Sequence, residues 1–296
     1  MLLPSIRSLK TGSLLLATLA AAALPAFAGD TATATSSKDK NVVLEKPSTE
    51  PRFFVNLMAG GEFDSAVTSF ISNGNGFLPP RPGFAIPGNV SSANIQARDF
   101  SEAHEQAVIN GRLELGYKLK PYLSLFVGFT YSHAGGDSRA DVGFVRTTFL
   151  NAGNTFRDDA LYAGVGQYQA FAGRAGFKIT TPRTILNLLH IPQAIKPYAS
   201  FSAGGKYLDA QYIRFYTDNP GVVNTGRYKL YDDSWVFSVE GNLGYDLQLT
   251  RNIDIILESG YGYDTAPESG NLPIAGGNRV GSRVYSTVSL GAKLSF

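Results

Sequence analysis

Cysteine is absent from the 296 residues, tryptophan occurs once and histidine three times. Without cysteine there is no disulfide framework, no thiolate metal site and no thiol nucleophile. Long apolar runs are as scarce. The one candidate, residues 14–24, has about half of the roughly 20 residues that a membrane-spanning helix needs. No stretch carries a sustained amphipathic helical period, so neither a helical bundle nor a helical membrane protein is predicted.

The short apolar run has its own explanation. Arg7 and Lys10 precede it, and Ala26-Phe27-Ala28 follow it before Gly29. A basic start, a short apolar middle and an A-x-A site are the parts of a secretory signal peptide, so residues 1–28 are expected to be removed on export. The formal charge of the whole chain is +2, and the leader accounts for that excess through its two basic residues. A mature chain without basic surplus offers nothing to attract nucleic acid. Residues 29–51 are rich in Ser, Thr, Lys and Pro and poor in aromatics, which predicts a flexible linker.

Glycine, tyrosine and phenylalanine are abundant, at 32, 15 and 19 residues. From Arg52 onward eight segments alternate apolar and polar residues. They start with Phe53, Val55, Leu57; Ile109, Gly111, Leu113; Leu123, Leu125, Val127; and Phe171, Gly173, Ala175. The others start with Ala199, Phe201, Ala203; Trp235, Phe237, Val239; Ile253, Ile255, Leu257; and Val284, Val288, Leu290. Period-2 alternation is the strand signal. Lys120-Pro121-Tyr122 and Thr250-Arg251-Asn252 make tight turns on one side. Long connections rich in Gly, Asn, Pro and Ser, near 66–105, 134–160, 216–234 and 265–282, fall on the other. An exported chain without helical spans crosses a membrane only as a closed barrel. The prediction is an all-β fold over residues 52–296: an eight-stranded antiparallel transmembrane β-barrel with short periplasmic turns and long extracellular loops. The link 181–196 is long enough for one or two helical turns, with Leu186, Leu188, Leu189 and Ile191 resting on the membrane interface.

Alternation alone leaves open which face points inward. Asn56, Glu62, Asn110, Arg112, Glu114, Arg174, Lys178, Lys206, Glu240, Asn242, Asp254, Glu258, Arg283 and Lys293 share one face with many glycines, and small residues between charges suit a crowded interior. Tyr117, Tyr131, Tyr207, Trp235, Tyr245, Tyr261 and Phe296 lie near strand ends on the other face, as the aromatic girdles of membrane barrels do. The apolar set is therefore predicted to face lipid.

The terminal VSLGAKLSF, residues 288–296, resembles the C-terminal signature of bacterial outer-membrane barrels, a strand of alternating hydrophobics ending in phenylalanine. With the leader and the eight strands, the chain resembles the small OmpA-type barrel family over residues 52–296, although no peptidoglycan-binding domain follows. The resemblance implies the outer membrane as location, outer-membrane lipid as surroundings and recognition of Leu290, Leu294 and Phe296 by the barrel-assembly machinery.

Within the lumen, Arg112, Glu114, Arg174, Lys206, Glu240 and Glu258 are expected to form one ion-pair network that plugs the barrel, with Lys206 bound to Glu240 and with Arg174 level with Glu114 and Glu258. Catalytic, cofactor and metal sites are not expected. His104, His133 and His190 are too far apart to share an ion, and His133, Asp137 and Ser138 lack anything to orient a triad. The leading expectation is a non-enzymatic barrel with a structural or adhesive role through its extracellular loops, whose ligand the residues do not specify. The alternatives are a narrow porin-like channel for ions or small solutes, a lipid-modifying outer-membrane enzyme and a soluble exported barrel. Cleavage is expected between Ala28 and Gly29. The intact mass of protein isolated from membranes checks it, and a retained leader would contradict the export reading.

Overall fold

The computed structural model describes residues 52–64, 74–76, 89–96, 108–136, 138–149, 155–192, 194–218, 227–268, 270 and 280–296. The signal-peptide and linker assignments, His104 and Asp137 lie outside the described residues. Fourteen strands and one short helix are described. In chain order they begin β1 (Phe53–Asp64), β2 (Gly74–Gly76), β3 (Asn89–Ile95), β4 (Val108–Lys120), β5 (Leu123–Ala134), β6 (Ser138–Phe149), β7 (Thr155–Val165) and β8 (Tyr168–Thr180). Helix α1 (Arg183–Leu188) follows, then β9 (Ile195–Leu208), β10 (Gln211–Thr217), β11 (Tyr228–Tyr231), β12 (Ser234–Gln248), β13 (Ile253–Asp264) and β14 (Arg283–Ser295).

Eight of these strands close a barrel in the order β1-β14-β13-β12-β9-β8-β5-β4, every pair antiparallel. They correspond to the eight alternating segments of the sequence. The barrel strands are 12 to 15 residues long, which at a tilt of about 40° spans about 30 Å. Closure is completed at the rim that carries the short turns. There the Phe296 N–H donates to the Phe53 carbonyl at 2.9 Å, and the Phe53 N–H returns a bond to the Phe296 carbonyl at 3.3 Å. The Lys118 N–H donates to the Arg52 carbonyl at 2.7 Å on the other side of β1. Phe296 is thus part of the seam while its ring, 67% exposed, faces outward.

The barrel is inside out relative to a soluble one. Leu57, Leu113, Leu115, Leu125, Val127, Phe129, Phe177, Leu257, Leu290 and Leu294 are exposed on its outer surface, whereas Asn56, Glu62, Arg112, Glu114, Arg174, Lys178, Lys206, Glu240 and Glu258 are buried inside. Aromatic rings mark both ends of the apolar band. Phe53 packs on Tyr117 at 4.9 Å at the turn rim, and Tyr131 on Phe171 at 5.0 Å and Tyr207 on Trp235 at 5.5 Å at the opposite, loop rim. This is the surface of a membrane-spanning β-barrel.

The inward glycines make room for rings. A Cβ at Gly116, Gly176, Gly244 or Gly262 would fall on the ring of Phe54, Phe126, Tyr198 or Tyr285. In each case the ring belongs to the residue directly opposite on the neighbouring strand. In each of these four pairs the inward ring takes the space over the facing position, and glycine leaves that space free.

The long connections are not irregular loops throughout. Those between β1 and β4, β5 and β8, and β9 and β12 contribute the strands of a second sheet, ordered β11-β10-β7-β6-β3-β2. The expectation of loops over 66–105, 134–160 and 216–234 is therefore corrected. Two features hide these strands. In β6 the alternation is broken by a bulge between Asp141 and Gly143, where Gly143 takes φ 135° and its N–H bonds the Asp141 carboxylate at 3.1 Å. Across the rim the pattern also reverses. Inside the barrel the inward residues are polar, but in the second sheet Ala140, Val142, Val145, Leu161, Ala163, Val165, Ile213 and Phe215 are buried, and Arg139, Asp141, Arg146, Asp158 and Arg214 are exposed. Interruptions between strands at 135–136, 166–167, 209–210 and 232–233 mark the reversal, so the surface changes there from lipid-facing to water-facing.

Link 181–196 holds α1. His190 adopts the left-handed conformation at φ 56°, and the Ile191 N–H bonds the Leu186 carbonyl at 2.9 Å, closing the helix. Leu188 and Leu189 are exposed as expected, whereas Leu186 is 2% exposed and turned into the protein. A six-residue helix has two faces, and only one can rest on the interface.

Substitution separates the two glycine environments. Gly244→Val, directed at the Tyr198 ring, is expected to lower stability by about 1–3 kcal/mol, whereas Gly111→Val, with no atom within 4 Å of its Cβ, is expected to be neutral or stabilising. Urea unfolding in lipid vesicles measures both, and equal losses would contradict the assigned faces.

Candidate functional site

The lumen is filled by charges arranged in three levels. Nearest the loop rim, Lys206 lies 2.8 Å from Asp264 and 3.7 Å from Glu62. Glu62 also takes Arg283 at 2.7 Å and a hydrogen bond from the Ser132 hydroxyl at 2.6 Å. In the middle, the Arg112 guanidinium meets Glu240 at 2.6 Å, Glu114 at 3.7 Å and Glu258, and Arg174 also binds Glu240. Asn56 donates to Glu114 at 2.7 Å, Asn242 to Glu240 at 2.8 Å and the Tyr198 hydroxyl to Glu258 at 2.9 Å. Nearest the turn rim, Lys293 and Lys178 reach Asp246 at 2.6 and 3.6 Å, and the Lys178 ammonium sits 3.7 Å from the centre of the Tyr198 ring.

All six residues selected from the sequence are buried in this lumen, but they do not form one group. Arg112, Glu114, Arg174, Glu240 and Glu258 meet in the middle level. Lys206 belongs to the level above, and its expected pairing with Glu240 does not occur. The β9–β12 register opposes Lys206 to Val236 and Glu240 to Ser202, so the two are four residues apart along one ladder. At about 3.3 Å per residue that is about 13 Å, beyond the reach of a direct pair. Residues at equal distance from the strand ends are offset in height by the stagger that closing a barrel imposes. Arg174 likewise binds Glu240 rather than Glu114 or Glu258. Asp246, Asp264, Arg283 and Lys293 complete the levels; Arg283 and Lys293 belong to the polar set read from the sequence, whereas Asp246 and Asp264 were missed there, although both lie at period-2 spacing from inward polar residues of their own strands.

Directly beyond the upper level the interior becomes apolar. Val108, Ala134, Ala170, Leu208, Tyr231, Val236 and Val280 join the inner face of the second sheet in one core. The polar lumen therefore ends under a packed hydrophobic layer. Burial there pushes the Tyr231 phenol well above its usual pKa, which keeps it neutral.

The outer face of the second sheet carries arginines over rings. Arg139 lies 3.8 Å from the centre of the Tyr162 ring and 2.6 Å from Asp218. Arg146 holds Asp158 through two bonds of 2.8 Å and lies 4.6 Å from the centre of Phe156. This pair of hydrogen bonds from the guanidinium holds the Asp158 carboxyl below its ordinary pKa. Tyr162 packs against Tyr216 at 5.9 Å. At the bend between barrel and sheet, Gln167, Gln169, Asp209, Tyr212, Arg214 and Arg227 line a polar cleft of about 440 Å³.

No family model and no curated protein matches the chain. Among solved structures, Neisserial surface protein A is 14% identical with a TM-score of 0.35, over 82% of this chain and 97% of that one. Ail, the attachment invasion locus protein of Yersinia pestis, is 9% identical with a TM-score of 0.35, over 83% and 99%. The outer membrane protein OprG from Pseudomonas aeruginosa is 14% identical with a TM-score of 0.34, over 83% and 96%. The barrel rests on its own strand pairing, independently of these likenesses.

Among the described residues no cluster of three His, Asp or Glu side chains is placed to hold a metal. His133 and His190 stand at opposite rims. His133 stacks beside Tyr131, at 6.5 Å between ring centres, and its two suggested triad partners cannot be placed: Asp137 lies outside the described residues, as does the side chain of Ser138.

The middle level makes a measurable claim. In a double-mutant cycle on Arg174→Met and Glu240→Gln, read by urea unfolding in vesicles, coupling of about 1–3 kcal/mol is expected for side chains in contact. The same cycle on Lys206→Met and Glu240→Gln should couple within error of zero. Reversed magnitudes would contradict the register.

Proposed function

We propose that the protein is an integral outer-membrane barrel with a closed lumen, whose role is structural or adhesive and is exerted by the sheet beyond its loop rim. In this reading the short turns face the periplasm and the second sheet stands outside the cell. Outward Leu290, Leu294 and Phe296 on β14 are the contact for the barrel-assembly machinery. The protein needs no cofactor and catalyses no reaction.

The closed interior carries the proposal. Each charged level in the barrel pairs its cations with carboxylates, and removing one partner of such a buried pair costs about 3–5 kcal/mol. A column of water and ions would have to displace these pairs and then pass the apolar core formed around Val108, Leu208, Tyr231 and Val236. Eight strands leave an interior that side chains just fill.

The adhesive part rests on the outer face of the second sheet. Tyrosine and arginine dominate the energetics of protein interfaces, and here Arg139, Tyr162 and Tyr216 form one group with Asp218, while Arg146 is held separately by Asp158 and the Phe156 ring. Such side chains lose little further freedom when a partner binds.

Recording from the refolded full chain in a planar lipid bilayer tests the closed lumen. The expected outcome is no stable conductance step. Reproducible steps of porin size would overturn the reading in favour of a narrow channel for ions or small solutes.

A further inference from the structure

The polar cleft at the bend between barrel and second sheet gathers side chains that bind nothing in the protein. Gln167, Gln169, Asp209, Tyr212 and Arg227 line it. Among the described residues no hydrogen bond or ion pair engages any of these five side chains. Two amides, a carboxylate, a phenol and a guanidinium thus converge on one concave space.

The backbone around that space is fixed. Two bends shape it, 166–167 between β7 and β8 and 209–210 between β9 and β10. The Gly166 N–H donates to the Tyr212 carbonyl at 2.7 Å, and the Gln211 amide donates to the Gly166 carbonyl at 2.9 Å. In the second bend the Asp209 N–H donates to the Gln169 carbonyl at 3.1 Å and the Ala210 N–H to the Asp233 carboxylate at 2.6 Å. Glycine keeps the walls close: a Cβ at Gly136 would lie 2.6 Å from the Gln167 nitrogen, and one at Gly164 would lie 2.9 Å from the Arg214 Nε. Arg214 lies across Gly164, with its guanidinium 5.6 Å from the centre of the Tyr216 ring. A cleft ordered before its ligand arrives loses little freedom on binding.

The lining narrows the ligand class. Arg214 is already held, which leaves one cation, Arg227, against one carboxylate, Asp209, so neither an anion nor an amine meets charge of a single sign. An apolar ligand would strip water from five polar side chains and give them no partner. A free amino acid would satisfy the two charges and leave the amides unused. A hydroxyl both donates and accepts. It can give to Asp209, take from Arg227 and do either with Gln167 and Gln169. A ring of neighbouring hydroxyls also has C–H faces, and the Tyr212 ring, 40% exposed, offers them an apolar surface. The cleft volume of about 440 Å³ falls within the range of about 300–1,000 Å³ of small-molecule sites.

We propose that this cleft is a binding site for a neutral saccharide, with Gln167, Gln169, Asp209 and Arg227 as its polar contacts and Tyr212 against the sugar ring. The site lies apart from the lumen and from the Arg139–Tyr162 group, so it stands whether or not the lumen conducts.

The test uses the full chain refolded in lauryldimethylamine oxide, a detergent without sugar, and saturation-transfer NMR with lactose, maltotriose, diacetylchitobiose and free glutamine. The expected result is transfer to the ring protons of at least one saccharide and none to glutamine. Combining Gln167→Ala with Arg227→Ala should weaken that binding at least about fivefold, the loss that two hydrogen bonds of ordinary net strength make. Arg157→Gln, on the loop side but outside the cleft, should leave it unchanged. Heat-dependent gel mobility reports folding, and Arg227→Ala alone serves if the double variant does not fold. Transfer to no saccharide overturns the proposal, as does saccharide binding that the cleft variant leaves intact. Binding of glutamine in place of the sugars assigns the cleft to a zwitterion and overturns it too. The source of the sugar is read in vesicles. If added lipopolysaccharide abolishes transfer to the soluble saccharide, the site holds sugars of the membrane's own glycolipid; if transfer persists, it takes saccharides from the medium.

Discussion

Inside hydrocarbon a backbone N–H or C=O without a partner costs several kcal/mol, so a sheet with an open edge cannot span a bilayer. The β1–β14 ladder removes the last edge. It joins the first and last strands from Phe54–Ser295 to Asp64–Tyr285, and the reciprocal bonds of Phe53 and Phe296 finish it at the turn rim. The lipid-facing leucines, the girdles and the crowded lumen presuppose this closure, because an open eight-stranded sheet has no inside to fill.

Closure at eight strands leaves little room, and the interior shows how it is shared. Glycine stands opposite four inward rings, as at Gly116 beneath Phe54 and Gly244 beneath Tyr198. Charged side chains take the remaining space in levels, each with partners of opposite sign. Coulomb attraction alone does not repay desolvation of such groups. The hydrogen bonds from Asn56, Asn242, Ser132 and Tyr198 to the same carboxylates satisfy lone pairs that the cations leave.

Beyond the loop rim the surroundings change from lipid to water, and the pattern changes with them. The chain keeps its strands but exchanges its faces, so the interior passes from a charged lumen to the apolar core around Leu208, Tyr231 and Val236. The aromatic-arginine surface and the apolar layer over the charged lumen both follow from that exchange.

The sequence by itself determined the eight barrel strands, their lipid-facing and inward-facing sets and the place of Phe296 on the outward face. Those properties are local: alternation at period 2 is written residue by residue, and it is strongest where one face meets hydrocarbon. The second sheet was not legible, because the Gly143 bulge breaks the period in β6 and the reversal of faces makes its strands read as polar loop. Nor could alternation say which inward charge meets which. Glu240 binds Arg112 and Arg174 while Lys206 turns to Asp264 and Glu62, a choice set by the stagger between neighbouring strands. Stagger belongs to the closed barrel as a whole, and only the tertiary structure decides it.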